Sequence, residues 1–279
     1  MHPTPHHRHP LRPAARRLLA FTLAACAAAG GVSFLLSCHA AVPSASAASV
    51  SSTAAAAPAS SAASAVEEEP GLLSAQQAQA MLDDPRMVLV NHTNKMPEDY
   101  TFTTRECGSA TAVNKTLQTE AADAFLAMQA AAAREGVTIW MQSGYRSVKY
   151  QTSLYERKTK YYLDKGYDNA TAKEKAAAVV NPPGYSEHNC GLAADLNSPE
   201  HTGLDEGFEK TAAFRWLCEH AGDYGFILRY PKDAEDKTEI IYEPWHWRYV
   251  GVENAAKINA SGLCFEEYIE TLQSIAAEG

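Results

Sequence analysis

Acidic residues are absent from the first 66 positions, and lysine is absent with them; four arginines carry all the charge there. Basic residues are scarce over 67–279, a stretch with 20 Lys and Arg against 33 Asp and Glu. That deficit argues against nucleic acid as a main partner, because phosphate binding needs a basic face. No Cys-x-x-Cys pair occurs, which excludes a zinc ribbon or a thioredoxin-type centre. No Gly-rich phosphate loop is present, and no internal repeat that would build a solenoid. Histidine is sparse after residue 66: only His92, His188, His201, His220 and His246. What is there suffices for one domain with a sizeable core. Hydrophobic residues make up 46% of the chain, and Trp140, Trp216, Trp245 and Trp247 all fall in its second half.

The N-terminus reads as an export segment. Arg12, Arg16 and Arg17 precede an uncharged apolar run over 18–36. At about 19 residues the run nears the length of a membrane-crossing helix. Positive charge before it keeps that end in the cytoplasm and places the rest of the chain outside. Cleavage after Ala47, retention as an anchor, and lipidation at Cys38 or Cys26 all fit the residues, and the choice stays open. We therefore expect a signal or membrane anchor over 1–47, an Ala/Ser-rich linker over 48–69, and a domain over 70–279. Four cysteines lie in that domain: Cys107, Cys190, Cys218 and Cys264. Export permits disulfides among them in three pairings, and buried thiols fit equally well.

Apolar spacing predicts a helix over 115–135 stopped by Gly136, and a short strand over 137–141. Ser147 is placed to cap a helix running to 165, with Gly166 as its stop. Further helices are expected over 173–180, 208–220 and 265–277, and strands over 192–196, 226–230, 239–242 and 245–250. Helices first and strands later indicate an α+β fold, a small antiparallel sheet flanked by helices.

Chemistry concentrates in two segments. In the stretch from Ser186 to Asp195, Gly191 lets the chain bend so that His188 folds back toward Asp195. Glu243-Pro244-Trp245-His246-Trp247 offers a second imidazole. Two His and one Asp form the ligand set of a catalytic zinc, three protein ligands and an open position for water. Such a site lowers the pKa of its water to about 7. Glu243 then suits a general base that later protonates the leaving amine. Taken singly each piece is weak: a histidine beside a strand is more often a hydrogen-bonded structural residue, and Glu243 could simply pair with Arg248. Spacing alone does not show that the three ligands converge.

Together the segments resemble a known pattern. Ser186-x-His188-x-x-Gly191-x-Ala193-x-Asp195 followed by Glu243-Pro244-Trp245-His246 is similar to the signature of the VanY-type zinc D-alanyl-D-alanine carboxypeptidases. Ser143-Gly144-Tyr145-Arg146-Ser147 with Gln151, and the segment from Tyr224 to Pro231, match two further motifs in the right order. The resemblance implies a Hedgehog/D-Ala-D-Ala peptidase-like fold with one zinc ion on His188, Asp195 and His246. It implies Glu243 as catalytic base, Arg146 as a substrate and transition-state contact, and Gln151 and Ser186 in the substrate pocket. Cys190 stands where a hydroxyl residue is expected. A guanidinium at 146 also suits the chemistry, since it can grip a terminal carboxylate or an oxyanion by paired hydrogen bonds.

The expected function is removal of C-terminal D-alanine from peptidoglycan stem peptides, outside the cytoplasm, by a monomer held at the membrane or secreted. Alternatives are an L,D-carboxypeptidase acting on tetrapeptide stems, or a non-catalytic cell-wall binding module. A module that only binds would need neither Glu243 nor Arg146. Trp245, Trp247 and Tyr185 are expected to narrow the pocket and favour a small penultimate residue.

Overall fold

The computed structural model describes residues 73–279, so the export and linker expectations lie outside the described residues. No helix among those residues is long and apolar enough to cross a membrane.

The described residues open with α1 (Ala75–Leu82), capped by Ser74. A two-stranded ribbon follows, β1 (Thr104–Glu106) against β2 (Thr116–Gln118), then α2 (Thr119–Arg134). The helix expected from 115 thus starts four residues later, because 116–118 pair with β1 first. β3 (Trp140–Ser143) leads into α3 (Val148–Asp164), where Ser147 Oγ accepts the Tyr150 amide as its cap. α4 (Asn169–Ala177) starts earlier than expected, because Asp168 caps it. β4 (Ala193–Asn197), α5 (Ala212–His220), β5 (Phe226–Leu228), the single turn α6 (Glu235–Thr238) and β6 (His246–Tyr249) complete the centre. The strand expected over 239–242 is not formed. α6 occupies the preceding residues, and Glu239 leaves it in the left-handed region at φ 58°, which breaks any extended run. α7 (Val252–Ser261) and α8 (Phe265–Ala277) close the chain.

The fold is α+β, as the order of elements suggested. Its main sheet is antiparallel throughout, in the order β3-β4-β6-β5. One side buries Phe125, Met128, Ile139 and Leu217 beneath it, with α2 and α5 as cover. A second apolar cluster joins α1 to α8 through Met81, Ile269 and Leu272. Register decides what the sheet does next. Ser143 pairs with Asp195, and Asp195 pairs with His246, so these three form one row across three strands. Residues opposed in this way have Cβ atoms about 5 Å apart. The four domain cysteines are free thiols: Cys107, Cys190 and Cys264 are buried, and Cys218 is exposed.

Candidate active site

The row supplies Asp195 and His246. The third group, His188, comes from a 3-10 turn over Glu187–Cys190. Gly191 ends that turn at φ 70°, where a side chain would be strained and would press on Phe102 and Gln118. His188 Nδ1 lies 2.8 Å from the Gly144 carbonyl oxygen. A carbonyl only accepts, so Nδ1 carries the proton and Nε2 turns inward with its lone pair. Gly144 must approach closely to serve this purpose: a Cβ there would run into the Thr116 carbonyl.

His188 Nε2 is 3.3 Å from Asp195 Oδ1, and His246 Nδ1 is 3.4 Å from the same oxygen. The three side chains are buried, and one donor atom from each lies within 4.8 Å of the others. Zinc bonds of 2.0–2.1 Å in a tetrahedron require donor separations of about 3.3–3.4 Å. His188 Nε2 is buried without a hydrogen-bond partner, a costly arrangement for a polar atom unless something else binds it. The donor set and its spacing therefore fit a zinc ion.

Electrostatics favour that fit at His188 and Asp195 and set a proton against it at His246. Burial, reinforced by the Arg146 charge, pushes the His188 imidazole down to about 4, so it is neutral at pH 7. Burial alone would raise Asp195, but the Arg146 guanidinium against it, with the His246 imidazole beside it, holds its carboxyl well below the usual range. Burial likewise opposes a charged His246, yet the Asp195, Glu187 and Glu243 carboxylates at 3.4–3.5 Å lift it to about 9, so a metal must displace its proton at pH 7.

Glu243 reaches the same point by a different route. His246 N–H donates to the Glu243 carbonyl at 3.1 Å, closing a tight turn around Pro244. The turn folds the Glu243 side chain over the site, with Oε2 3.5 Å from His246 Nδ1. This explains how it faces the ligands despite the wrong strand parity. Burial, with Asp195 nearby, pushes its carboxyl up to about 8. Glu243 does not pair with Arg248, whose partner is Glu187. Arg146 leaves the strand–helix turn with Nε on Ser143 Oγ at 2.9 Å and its end against Asp195 Oδ2.

These groups line one cavity of about 210 Å³, together with Gln151 and Ser186. All seven residues singled out from the sequence are thus brought together. The expected aromatic walls are not. Trp245 lines the cavity, but Trp247 points into the core beneath the sheet and donates to the Pro244 carbonyl at 3.0 Å. Tyr185 is not among the lining residues. The apolar wall is built instead by Leu154, Val179, Val180 and Ile240.

The chain is similar to known proteins. The family model VanY, D-alanyl-D-alanine carboxypeptidase, matches residues 114–252. A D-alanyl-D-alanine carboxypeptidase of Enterococcus faecalis (strain ATCC 700802 / V583) is 36% identical over 205 residues, 73% of this chain and 72% of that protein. The chain belongs to the VanY D-alanyl-D-alanine carboxypeptidase family. A solved mutant of the vancomycin resistance D,D-pentapeptidase VanY, from a VanB-type cassette and in complex with Zn(II), is 36% identical with a TM-score of 0.58, covering 66% of this chain and 99% of that one. The LD-carboxypeptidase LdcB is 34% identical with a TM-score of 0.57, over 74% and 93% of the two chains. As a VanY-family member the chain is a zinc metallopeptidase.

Sequence reasoning missed the support behind the VanY-type site. Glu187, next to His188, is fully buried. Its Oε1 accepts from Arg229 Nε at 2.7 Å and from Arg248 Nη1 at 2.6 Å. Its Oε2 lies 3.5 Å from His246 Nε2. Burial opposes its charge, but the two guanidinium groups hold its carboxyl well below the usual range. Asn181 was also missed: its carbonyl takes Gln151 Nε2 at 2.6 Å, and it lines the cavity. Its position just before Pro182-Pro183-Gly184 suggested only a helix end. Cys190 is buried in the core with its thiol pushed up by burial to about 12. It is an inert neighbour, not a ligand.

Proposed function

We propose that the chain trims C-terminal D-alanine from peptidoglycan stem peptides, with His188, Asp195 and His246 holding one zinc ion and Glu243 moving the proton. The convergence of three donor atoms, each histidine nitrogen 3.3–3.4 Å from the Asp195 oxygen, with a carboxylate poised over them, carries this reading.

Bound zinc would supply an acidified water and polarise the scissile carbonyl. Glu243 would hold the proton at Oε2 as base and pass it to the departing amine as acid. Its raised pKa in the dry site suits the return of the proton to the amine, and a cation bound beside it would favour the ionised form that the first half needs. Arg146 lines the cavity beside Asp195 and offers a planar fork to the substrate carboxylate or to the developing oxyanion. Gln151 is fixed by the Asn181 carbonyl, which leaves its Oε1 without a partner and available to a peptide N–H. Ser186, buried beside His188, completes the polar side.

The apolar wall of Leu154, Val179, Val180 and Ile240 favours a methyl side chain at the penultimate position over a long charged one, by packing and desolvation. D,D-cleavage of a pentapeptide stem is therefore ranked above L,D-cleavage of a tetrapeptide. We assign residues 1–47 to export or anchoring and 48–69 to a tether that holds the domain off the membrane.

The test is direct. The full chain is incubated with pentapeptide and tetrapeptide stems, with and without chelator, and the released amino acid is identified. D-alanine from the pentapeptide, abolished by chelator, is expected. Faster release from the tetrapeptide would reverse the ranking, and chelator-insensitive release would end the zinc mechanism.

A further inference from the structure

Charge and exposed apolar surface are unevenly spread over this domain. Residues 148–177, α3 and α4 with their turn, carry seven Lys and Arg against four Asp and Glu, in a region where acids otherwise dominate. The same segment holds Val148, Tyr161, Leu163 and Tyr167, four of the nine large hydrophobic side chains exposed among the described residues. Tyr161 is 51% exposed and Tyr167 43%.

The tyrosines form one chain of rings. Tyr161 and Tyr162 lie 5.2 Å apart edge to face, and Tyr162 and Tyr167 6.0 Å apart. Ammonium groups surround them: Lys158 is 5.7 Å from the Tyr161 centroid, Lys165 5.4 Å from the same ring, and Lys175 4.9 Å from Tyr167. Lys160 is paired with Asp164, but Lys158, Lys165 and Lys175 have no ion pair among the described residues. Half-exposed rings bordered by cations that have no carboxylate partner suit a polymer that offers both C–H-rich rings and carboxylates.

The face is joined to the active site through α3. Gln151 and Leu154 line the catalytic cavity from the first turns of that helix. Ten residues separate Gln151 from Tyr161, about 15 Å at 1.5 Å per residue. A five-residue stem in extended form spans about 17 Å. A stem that leaves the cavity along α3 would therefore bring its sugar-bearing end level with the tyrosines.

We propose that the tyrosine–lysine face of α3 and the α3–α4 turn docks the glycan strand from which the scissile stem projects. The rings stack on sugar faces, and the free ammonium groups pair with carboxylates of the stems along that strand. This rests on the reading that peptidoglycan stems are the substrate. The site would make the enzyme more efficient on polymer than on free peptide, because docking raises the local concentration of stems.

The experiment compares the zinc-loaded full chain with the double variant Tyr161→Ser, Tyr167→Ser, and separately with Lys165→Glu. D-alanine release is measured from soluble pentapeptide and from purified sacculi stripped of phosphate-containing polymers. Co-sedimentation with stripped and unstripped sacculi is measured alongside, and melting temperature confirms folding. Both variants should keep kcat/KM on the soluble peptide within about twofold and lose about tenfold or more on stripped sacculi, with matching loss of sedimentation. Equal loss on both substrates, or no loss on sacculi, would overturn the proposal. Binding that requires the phosphate polymers would overturn it too, by assigning the face to them. If the unaltered chain leaves the soluble pentapeptide intact, the catalytic reading fails, while sedimentation still reports on docking.

Discussion

Replacing Glu187 by Gln is a sharp test of how the ligand geometry is held. Two guanidinium groups donate to Oε1, so the amide oxygen of a Gln must take that place. The amide nitrogen then occupies the position of Oε2, 3.5 Å from His246 Nε2. A donor now faces an atom that must itself be a donor when Nδ1 binds metal. The imidazole escapes the conflict by moving its proton to Nδ1, which removes the lone pair from the metal side. Altering the partner behind a ligating imidazole costs about 10–100-fold in metal affinity, or about 1.4–2.7 kcal/mol. The fold should survive, since Arg229 keeps both Glu266 oxygens and Arg248 keeps the carbonyls of Arg86, Val88 and Tyr249. Glu187→Ala should differ in kind. It leaves two buried guanidinium groups without their shared anion, a loss of about 3–5 kcal/mol in stability. Zinc affinity, read by competition with a chromophoric chelator well below the melting temperature, separates the two effects. Wild-type affinity in Glu187→Gln would refute the tautomer argument.

His188→Ala, Asp195→Ala and His246→Ala should each lose bound zinc and activity; a full equivalent of zinc by metal analysis in all three would refute the ligand set. Glu243→Gln should bind zinc and fold normally while turnover falls by about 10²-fold or more, and near-normal turnover would move the base elsewhere. Arg146→Lys should be severely impaired despite its charge, because an ammonium lacks the planar fork; a rate close to wild type would reduce Arg146 to a point charge. With His246 at about 9 in the metal-free protein, zinc has to displace a proton at pH 7. Apparent zinc affinity should then rise about tenfold per pH unit from about pH 6 to 8, and a flat profile in chelator competition would show that His246 is already neutral.

The active-site residues were legible because their signals are local. Gly191 at a bend, Ser147 at a cap and Gly166 at a stop each act over a few residues, and the structure places all three as read. What sequence could not supply was register. Periodicity shows that Ala193 and Asp195 share a face, but only the pairing of β4 with β6 sets Asp195 against His246. The same limit misplaced Trp247. As the next residue after His246 on β6 it faces the other side of the sheet, which sends its ring to the core and away from the cavity. The failed strand at 239–242 has a different cause. Its β-favouring residues serve instead as a loop, held by the Ile241 amide on the Ala178 carbonyl, and this presents Ile240 to the cavity.

Glu187 and His188 are adjacent, yet they serve different metal-binding groups. His188 presents its own imidazole, while Glu187 backs that of His246, so one 3-10 turn sets two of the three ligands. The turn is anchored in opposite directions. Gly144 fixes the His188 ring from the β3–α3 turn, and Arg229 and Arg248 fix Glu187 from β6 and the segment after β5. Arg229 is in turn bound by Glu266 in the first turn of α8. Arg248 reaches the carbonyls of Arg86 and Val88, in the segment that follows α1. A buried ion network of this kind adds little net stability over an apolar core, but it penalises any geometry that leaves one charge unpaired. Its effect here is to tie the ligand positions to both ends of the described domain. Glu266→Gln should therefore weaken zinc binding at His246 in chelator competition, although the two residues do not touch, because Arg229 would then have Glu187 as its only carboxylate partner; unchanged affinity would refute the link.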